Sequence, residues 1–336
     1  MRIALLVCAW LTCLGAQAAS VDVATLDRGT WPEKLSSPAL FDVASRAEIL
    51  MFANALLASE ALDEPALKQR LGLKTVNQGA IDDLRRHLWQ RLLENYMFAQ
   101  QSCEQDASFC YLVDNLDDLR DQAGKFEVSE QSFYIGWAGP SRAFHQRYLD
   151  ELLRKAALFP QIGSEVARFG DFERNGDELN DRLFLLTFDG GPSPLGGQTD
   201  WLADYLRKQK MTATFFVLGN SLQTRLEKTS AVDVQGLYQG QCVGIQGWQY
   251  RSHSHWVDWQ SSITRSASLT QNLLPENYVP LFRPPYGQRR ADSQGFFQAQ
   301  GLQVALWDID SQDEPGLLKA DESAQRMLTL MLLWRK

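Results

Sequence analysis

Residues 183–193 read LFLLTFDGGPS, and this stretch decides the fold class. Its apolar run over 183–188 has the length of a buried strand, and the run stops at Asp189 before a Gly-Gly-Pro turn. Residues 199–208 then show a helical pattern, and residues 213–218 are again rich in strand-forming side chains. Strand, turn, helix and strand in this order predict an α/β fold. Functional groups collect at the carboxyl ends of such strands, where Asp189 lies.

Length and charge narrow the functional class. The chain has 336 residues, of which 45% are hydrophobic and 22% charged, which are values typical of a globular protein. Its 41 acidic residues outnumber its 33 basic ones, so the net charge is -8. This balance, without a basic run, argues against a nucleic-acid partner. Only four histidines are available as metal ligands or acid/base groups: His87, His145, His253 and His255.

The start of the chain predicts its compartment. An arginine at the second position is followed by an apolar run over residues 3–14 and by an Ala-x-Ala pattern that ends at Ala18. These features predict a cleaved signal peptide over residues 1–18. The apolar run is shorter than the ~20 residues of a membrane-spanning helix. We therefore expect a periplasmic or secreted protein with no transmembrane span after cleavage.

The rest of the chain divides in two. Residues 19–170 have helical periodicity and predict an all-α domain, and the polar stretch 171–181 reads as a linker to a second domain over 182–336. Cys103 and Cys110 close a short loop in the helical part, so a disulfide is expected in an oxidising compartment. The helical spacing is clearest in Ile81, Leu84, Leu88, Leu92 and Tyr96.

Four motifs follow one another in the second half. They read TFDGGPS at 187–193, ATFFVLG at 213–219, RPPYG at 283–287 and WDIDSQD at 307–313. In this order they resemble the polysaccharide deacetylase (NodB-like) family, also called carbohydrate esterase family 4. The resemblance covers residues 182–336. It implies a deformed (β/α) barrel, which we expect to be incomplete at its C-terminus and preceded by the all-α domain.

The resemblance also implies a chemistry. Members of this family remove acetyl groups from glycans such as peptidoglycan, chitin-like polymers and poly-N-acetylglucosamine. They use a divalent metal, expected to be zinc, that polarises the acetyl carbonyl and activates water. By resemblance, Asp189 is the general base, Arg283 orients it and lowers its pKa, and Asp310 is bonded to Arg283. The backbone N–H of Tyr286 would help to hold the developing oxyanion.

The metal-ligand positions depart from the family pattern. Gly190, Gln246 and Tyr250 stand where the family has one Asp and two His, so we expect the usual metal centre to be absent. The cleft would then be neutral and polar. Trp248 and Tyr250 are candidates for stacking on sugar rings, because aromatic faces pack on such surfaces.

A relocated metal site is an alternative. His253 and His255 lie two residues apart, and on a strand they would share one face. Together with Asp189 they could form a two-His, one-carboxylate set. Spacing alone does not close a coordination sphere, and the other interpretation is a pair of exposed loop histidines beside a Trp-rich segment.

The end of the chain departs from the family as well. Residues 323–334 have the pattern of an amphipathic helix, and the family follows this helix with a strand that ends in a catalytic histidine. That strand is missing here, either by truncation or because the protein is shorter.

Three functional interpretations remain. The first is an exported glycan deacetylase whose activity is impaired. The second is a non-catalytic glycan-binding or scaffold protein of the cell envelope on the same fold. The third, least favoured, is a metal-independent hydrolase that uses Asp189 as its base.

Overall fold

The computed structural model describes residues 23–314 and 316–336, so the predicted signal peptide at 1–18 lies outside the described residues. The described residues form eleven α-helices and six β-strands. The helices are α1 (Pro38–Glu60), α2 (Glu64–Leu71), α3 (Gln78–Ala99), α4 (Leu116–Lys125), α5 (Ile135–Leu158), α6 (Gln198–Gln209), α7 (Gly219–Lys228), α8 (Ala231–Leu237), α9 (Trp259–Leu273), α10 (Gln294–Gln300) and α11 (Ala320–Trp334). The strands are β1 (Glu173–Arg174), β2 (Thr187–Asp189), β3 (Thr214–Val217), β4 (Cys242–Ile245), β5 (Tyr278–Phe282) and β6 (Gln303–Ala305).

The six strands form one sheet in the order β1-β6-β5-β4-β3-β2, and all neighbours are parallel. Helices connect successive strands from β2 to β6, so the α/β prediction is confirmed. Within the described residues, β1 and β2 are the two edges of the sheet and do not pair, which leaves the barrel open as predicted.

The N-terminal half is helical, as predicted, and α1 is its centre. Helix α1 begins with the Ser37 side chain accepting a hydrogen bond from the Leu40 N–H, and a proline occupies its first turn. Most of its residues from 42 to 56 are buried, because α3, α4, α5 and α11 pack around it. Most of its buried residues are apolar, which suits this central position, and the buried polar ones such as Arg46 form hydrogen bonds.

The predicted disulfide between Cys103 and Cys110 is present, with a Cα–Cα distance of 5.9 Å. Its loop encloses the buried guanidinium of Arg46, which reaches in from α1. That group donates to the carbonyls of Ala99 at 2.7 Å, Asp106 at 2.8 Å and Ser108 at 3.0 Å. The disulfide therefore closes the loop on itself, and the hydrogen bonds from Arg46 join the loop to α1.

Two elements pack outside the part of the chain to which the sequence assigned them. Leu330, Leu332, Leu333 and Trp334 of α11 are buried in the core of the helical half, although they follow the last strand of the sheet. Conversely, β1 lies in the stretch predicted as a linker and pairs with β6. The division into 19–170, 171–181 and 182–336 stays a prediction, and these two elements are the places where the packing does not follow it.

Candidate active site

Asp189 ends β2, at the carboxyl edge of the sheet where functional groups were expected. Gly190 and Gly191 follow it with φ values of 83° and 78°, a left-handed backbone that glycine adopts without strain. The Gly190 N–H donates to the Phe216 carbonyl at 2.9 Å and so continues the pairing with β3. The turn therefore directs the chain away immediately after Asp189 and leaves its side chain 39% exposed.

Arg283 follows β5 and reaches Asp189 across the sheet. Its Nη1 donates to Asp189 Oδ1 at 2.9 Å and to Thr187 Oγ1 at 2.7 Å. Three strand spacings separate β5 from β2, roughly 14 Å in a flat sheet. The contact therefore indicates that the sheet curls toward a barrel. It also brings together two site residues that the sequence predicted as a pair.

The pKa of Asp189 lies above its ordinary value. Burial of the carboxyl group is the largest cause, and the nearby charge of Asp310 adds to it. Arg283 lowers the pKa of Asp189, as expected from the sequence, but its effect is outweighed.

Gln246 follows β4 and occupies the centre of the candidate site. Its side chain is 1% exposed, and its Nε2 donates to Asp189 Oδ2 at 2.9 Å. Both oxygens of Asp189 are therefore hydrogen-bonded, one to a guanidinium and one to a carboxamide. The Gln246 Oε1 atom is buried and has no hydrogen-bond partner among the described residues.

The metal-ligand positions do not fit a metal ion. Gly190 has no side chain, and Gln246 presents an N–H donor rather than a lone pair to Asp189. Burial raises the pKa of Tyr250 to about 12, so its phenol stays protonated at neutral pH. Across residues 23–314 and 316–336, no group of three or more His, Cys, Asp or Glu is placed to hold a metal ion. These residues therefore do not provide a ligand set for zinc.

The structure does not bring His253 and His255 to Asp189 in a metal-binding arrangement. His253 is 1% exposed, contacts Ser262 Oγ through Nε2 at 3.0 Å and packs edge-on against Phe282. Burial lowers the pKa of His253 to about 4, so the ring is neutral. It also lies under Gly247, where a Cβ atom would come within 2.6 Å of the His253 Nε2. His255 is exposed.

Asp310 does not bond to Arg283, which corrects the expectation from the sequence. Its Oδ1 accepts from the Gln312 backbone N–H at 3.0 Å and its Oδ2 from Gln312 Nε2 at 2.7 Å. The remaining donors of Arg283 bond to the carbonyls of Ala305 at 3.1 Å and Leu306 at 2.9 Å. Backbone acceptors therefore take the place expected for Asp310.

The segment around Asp310 is instead fixed to the helical half. Asp308 accepts two hydrogen bonds from Arg91 of α3, both at 2.8 Å, and Ile309 packs against the helical core. No local pattern marks this pair, because Arg91 is one of many charged residues in a helical segment.

The aromatic candidates separate into two groups. The rings of Tyr250 and Tyr286 meet edge to face with centroids 4.7 Å apart, and their residues are 46% and 51% exposed. Trp248 is half-buried: it packs against Gly219, and Arg265 covers its ring at 3.8 Å. Of these three candidates, the two tyrosines therefore present more exposed ring surface than Trp248.

Sequence reasoning missed two residues of this region. Thr187 lies two residues before Asp189 on the same strand, so both share a face, and this spacing could have indicated its contact with Arg283. Arg289 forms a buried pair with Glu173 of β1, and its Nη1 donates to the Gly287 carbonyl at 2.9 Å. Nothing local in the sequence marks Arg289.

Comparisons with known proteins agree with these motifs. The family model described as polysaccharide deacetylase matches residues 176–305. The peptidoglycan-N-acetylmuramic acid deacetylase PdaC of Bacillus subtilis is 34% identical over 192 residues, which cover 55% of this chain and 38% of that protein. A bifunctional xylanase/xylan deacetylase of Cellvibrio japonicus is 32% identical over 136 residues, or 39% of this chain and 19% of that one. A peptidoglycan-N-acetylglucosamine deacetylase of Listeria monocytogenes is 32% identical over 141 residues, or 40% and 27%.

Solved structures of the same group are also similar. A family 4 carbohydrate esterase from Streptomyces lividans has a TM-score of 0.35 and 24% identity, covering 46% of this chain and 88% of that one. A CE4 family pseudoenzyme from Bacillus anthracis has a TM-score of 0.36 and 18% identity, covering 44% and 50%. The chain spans only 19% to 38% of the lengths of the three sequence relatives. The matched region contains Asp189, Gln246 and Arg283, so this part of the chain is similar to the polysaccharide deacetylase family.

Proposed function

We propose that this chain binds an N-acetylglucosamine-type glycan of the cell envelope at the carboxyl edge of its sheet, with metal-dependent deacetylation lost or strongly reduced. The observation that carries the proposal is the 2.9 Å hydrogen bond from Gln246 Nε2 to Asp189 Oδ2. A donor stands where the family places a metal ligand, and it engages the oxygen that a general base would use.

Loss of the metal site removes most of the chemistry. A bound metal supplies both a Lewis acid and an activated water, and each contributes several kcal/mol to catalysis. Asp189 retains its pairing with Arg283, but both its oxygens already accept hydrogen bonds. Each of these hydrogen bonds stabilises the carboxylate form, which lowers the pKa of Asp189 and makes it a weaker base.

Binding is supported by the two exposed tyrosines. Tyr250 and Tyr286 offer ring surface next to Asp189, and aromatic rings carry a large apolar area with a polar tip. A sugar ring has the same character on its faces and edges. The relatives from Bacillus subtilis and Listeria monocytogenes are named as acting on peptidoglycan, which supports an envelope glycan as the ligand.

Export to the periplasm or outside the cell belongs to the same proposal. The predicted signal sequence supports it, and so does the disulfide between Cys103 and Cys110, since such bonds persist in oxidising compartments. In the part of the chain that the structure describes, every helix is too short or too polar to be a membrane span.

A second candidate function is deacetylation itself. The match of residues 176–305 to the polysaccharide deacetylase family model and the preserved ion pair of Asp189 with Arg283 favour it. Glycan binding without catalysis and deacetylation can be distinguished on the full chain. The experiment is a titration with N-acetylglucosamine oligomers, combined with assays for zinc content and acetate release. We expect no stoichiometric zinc, no acetate and measurable binding that falls about tenfold or more in Tyr250→Ala.

The matched control is Tyr111→Ala, which removes a tyrosine that is 38% exposed in the helical half and should leave binding unchanged. Stoichiometric zinc together with acetate release that disappears in Asp189→Asn would overturn the binding proposal in favour of the enzyme.

A further inference from the structure

An exposed pair of aromatic side chains lies on α6, outside the candidate site. Trp201 and Tyr205 are one helical turn apart, and they are 68% and 47% exposed. Their rings are nearly parallel, with 16° between the planes and 5.6 Å between the centroids, so they overlap in an offset stack. Side chains on a helix lean toward its start. Tyr205 therefore supports one face of the Trp201 indole, and the other face is open to solvent.

The pair lies on the side of α6 that faces away from the rest of the described structure. The helix buries Ala203 in a cluster with residues of β3. Asp200 accepts hydrogen bonds of 2.6 and 3.0 Å from Arg225 of α7. With 3.6 residues per turn, Trp201 and Tyr205 point away from both of these contacts. Their exposure is therefore a consequence of where the sequence places them on the helix.

The first turn of α6 is tied to the turn that follows Asp189. Ser193 and Thr199 exchange two hydrogen bonds, each from a backbone N–H to a hydroxyl oxygen, of 2.9 and 3.0 Å. A Cβ atom on Gly191 would come within 3.1 Å of the Thr199 hydroxyl. Because a chain covers at most ~3.6 Å per residue, these contacts place Trp201 within about 20 Å of Asp189. The helix starts at the carboxyl edge of the sheet, so the free face of the indole is directed toward the edge that carries Asp189.

The exposed area of the pair is too small for a protein partner. Aromatic side chains bury at most about 250 Å² each, so the exposed parts of Trp201 and Tyr205 together offer roughly 300 Å². Each partner of a standard protein–protein interface contributes about 800 Å². Two rings in a row instead suit a narrow ligand, such as a chain of sugar rings, whose faces carry C–H groups.

The neighbours of the pair on α6 favour an uncharged ligand. The face of a tryptophan also attracts cations, and an unpaired carboxylate nearby would strengthen that attraction. Asp204, one turn after Trp201, is instead paired with Arg207. Gln198, one turn before Trp201, is exposed, and its carboxamide can both donate to and accept from hydroxyl groups. A ring face beside a free carboxamide suits a neutral ligand that is rich in hydroxyl groups.

We infer that Trp201 and Tyr205 form a second contact for the glycan, at which a sugar ring stacks on the free face of the indole. The inference rests on the proposed function, because it takes glycan binding at the carboxyl edge as given and adds a part of the same chain outside the cleft. When one ligand connects two contacts, the second contact forms at a high effective concentration, and the overall affinity exceeds that of either contact. The protein would thus distinguish a glycan polymer from its short fragments.

The test is a calorimetric titration of the full chain with the dimer and the hexamer of N-acetylglucosamine. We expect the hexamer to bind at least about tenfold more tightly than the dimer, because the longer chain reaches both contacts. Trp201→Ala should weaken binding of the hexamer about tenfold and leave binding of the dimer unchanged. Trp201→Phe keeps an aromatic ring at this position and should retain most of the affinity for the hexamer.

The control is Phe133→Ala, which removes an aromatic ring that is 66% exposed in the helical half. It should leave both affinities unchanged, and circular dichroism should show that all variants are folded. Equal affinity of Trp201→Ala and the parent chain for the hexamer would overturn the inference alone. So would a parent homodimer that dissociates in Trp201→Ala during sedimentation, since the pair would then be a protein interface. Binding of neither oligomer would overturn the proposed function and the inference with it.

Discussion

Asp189 and Gln246 form the contact on which the chemistry of the site depends. In sequence they are 57 residues apart, and β3 lies between their strands in the sheet. The resemblance to the family predicted that Gln246 stands at a ligand position, but the bond itself could not be predicted, because it depends on how far the sheet curls. Gly190 shows the same limit: a Cβ atom there would meet nothing within 4 Å, yet its φ of 83° makes a side chain costly.

His253 is the residue whose role the sequence left open and the structure decides. Its pKa of about 4 in the folded protein lies below the ordinary 6.5. The unfolded chain therefore gains a proton near pH 6.5 that the folded chain does not accept until about pH 4. Stability is complete above pH 6.5 and falls as the pH drops toward 4, by about 3 kcal/mol in total.

The measurement is the free energy of unfolding by urea at several pH values between 7 and 4.5, for the parent chain and for His253→Gln. Carboxylates also titrate in this range, so the comparison with the variant isolates the histidine. We expect the two curves to converge as the pH falls. Parallel curves would show that His253 is not buried in its neutral form.

At the scale of elements, local pattern predicts helices better than edge strands. Helix α6 and strand β3 lie within one residue of their predicted limits, 199–208 and 213–218. The run over 183–188 was predicted as a buried strand, but β2 covers only Thr187–Asp189, and Leu185 is 69% exposed. The reason is its position: β2 is an edge strand with a neighbour on one side only, which the run of apolar residues does not reveal.

The two-residue strand β1 depends on a buried ion pair. Arg289 donates to both oxygens of Glu173 at 2.7 and 2.6 Å, and both side chains are at most 1% exposed. Removing only one partner leaves a buried charge, so Arg289→Met should lower the free energy of unfolding by about 3–5 kcal/mol. In the double variant with Glu173→Gln the loss should be smaller, because no unpaired charge remains. Denaturant unfolding of both variants measures this, and equal losses would contradict the pairing argument.

On the scale of the whole molecule, α11 follows the sheet in sequence but packs in the core of the helical half. The sequence predicted the change from helical to α/β character, because composition and periodicity change along the chain. It did not predict that α11 packs on α1, because an amphipathic helix has the same pattern whichever core it joins. The Ser45 hydroxyl of α1 donates to the Leu332 carbonyl at 2.8 Å, and Arg91 holds Asp308 beside the site. The helical half therefore supports one side of the candidate cleft.

The packing of α11 on α1 predicts which part of the protein a substitution in α11 destabilises. Leu332 is fully buried in the helical core, so Leu332→Ala should lower the free energy of unfolding by about 2–4 kcal/mol. Leu328 lies on the same helix but is 37% exposed, and Leu328→Ala should cost less than about 1 kcal/mol. Hydrogen exchange on both variants locates the effect. Because α11 packs against α1, faster exchange in Leu332→Ala should appear in α1 before it appears in β3 and β4. Faster exchange confined to the sheet would mean instead that α11 belongs to the α/β half.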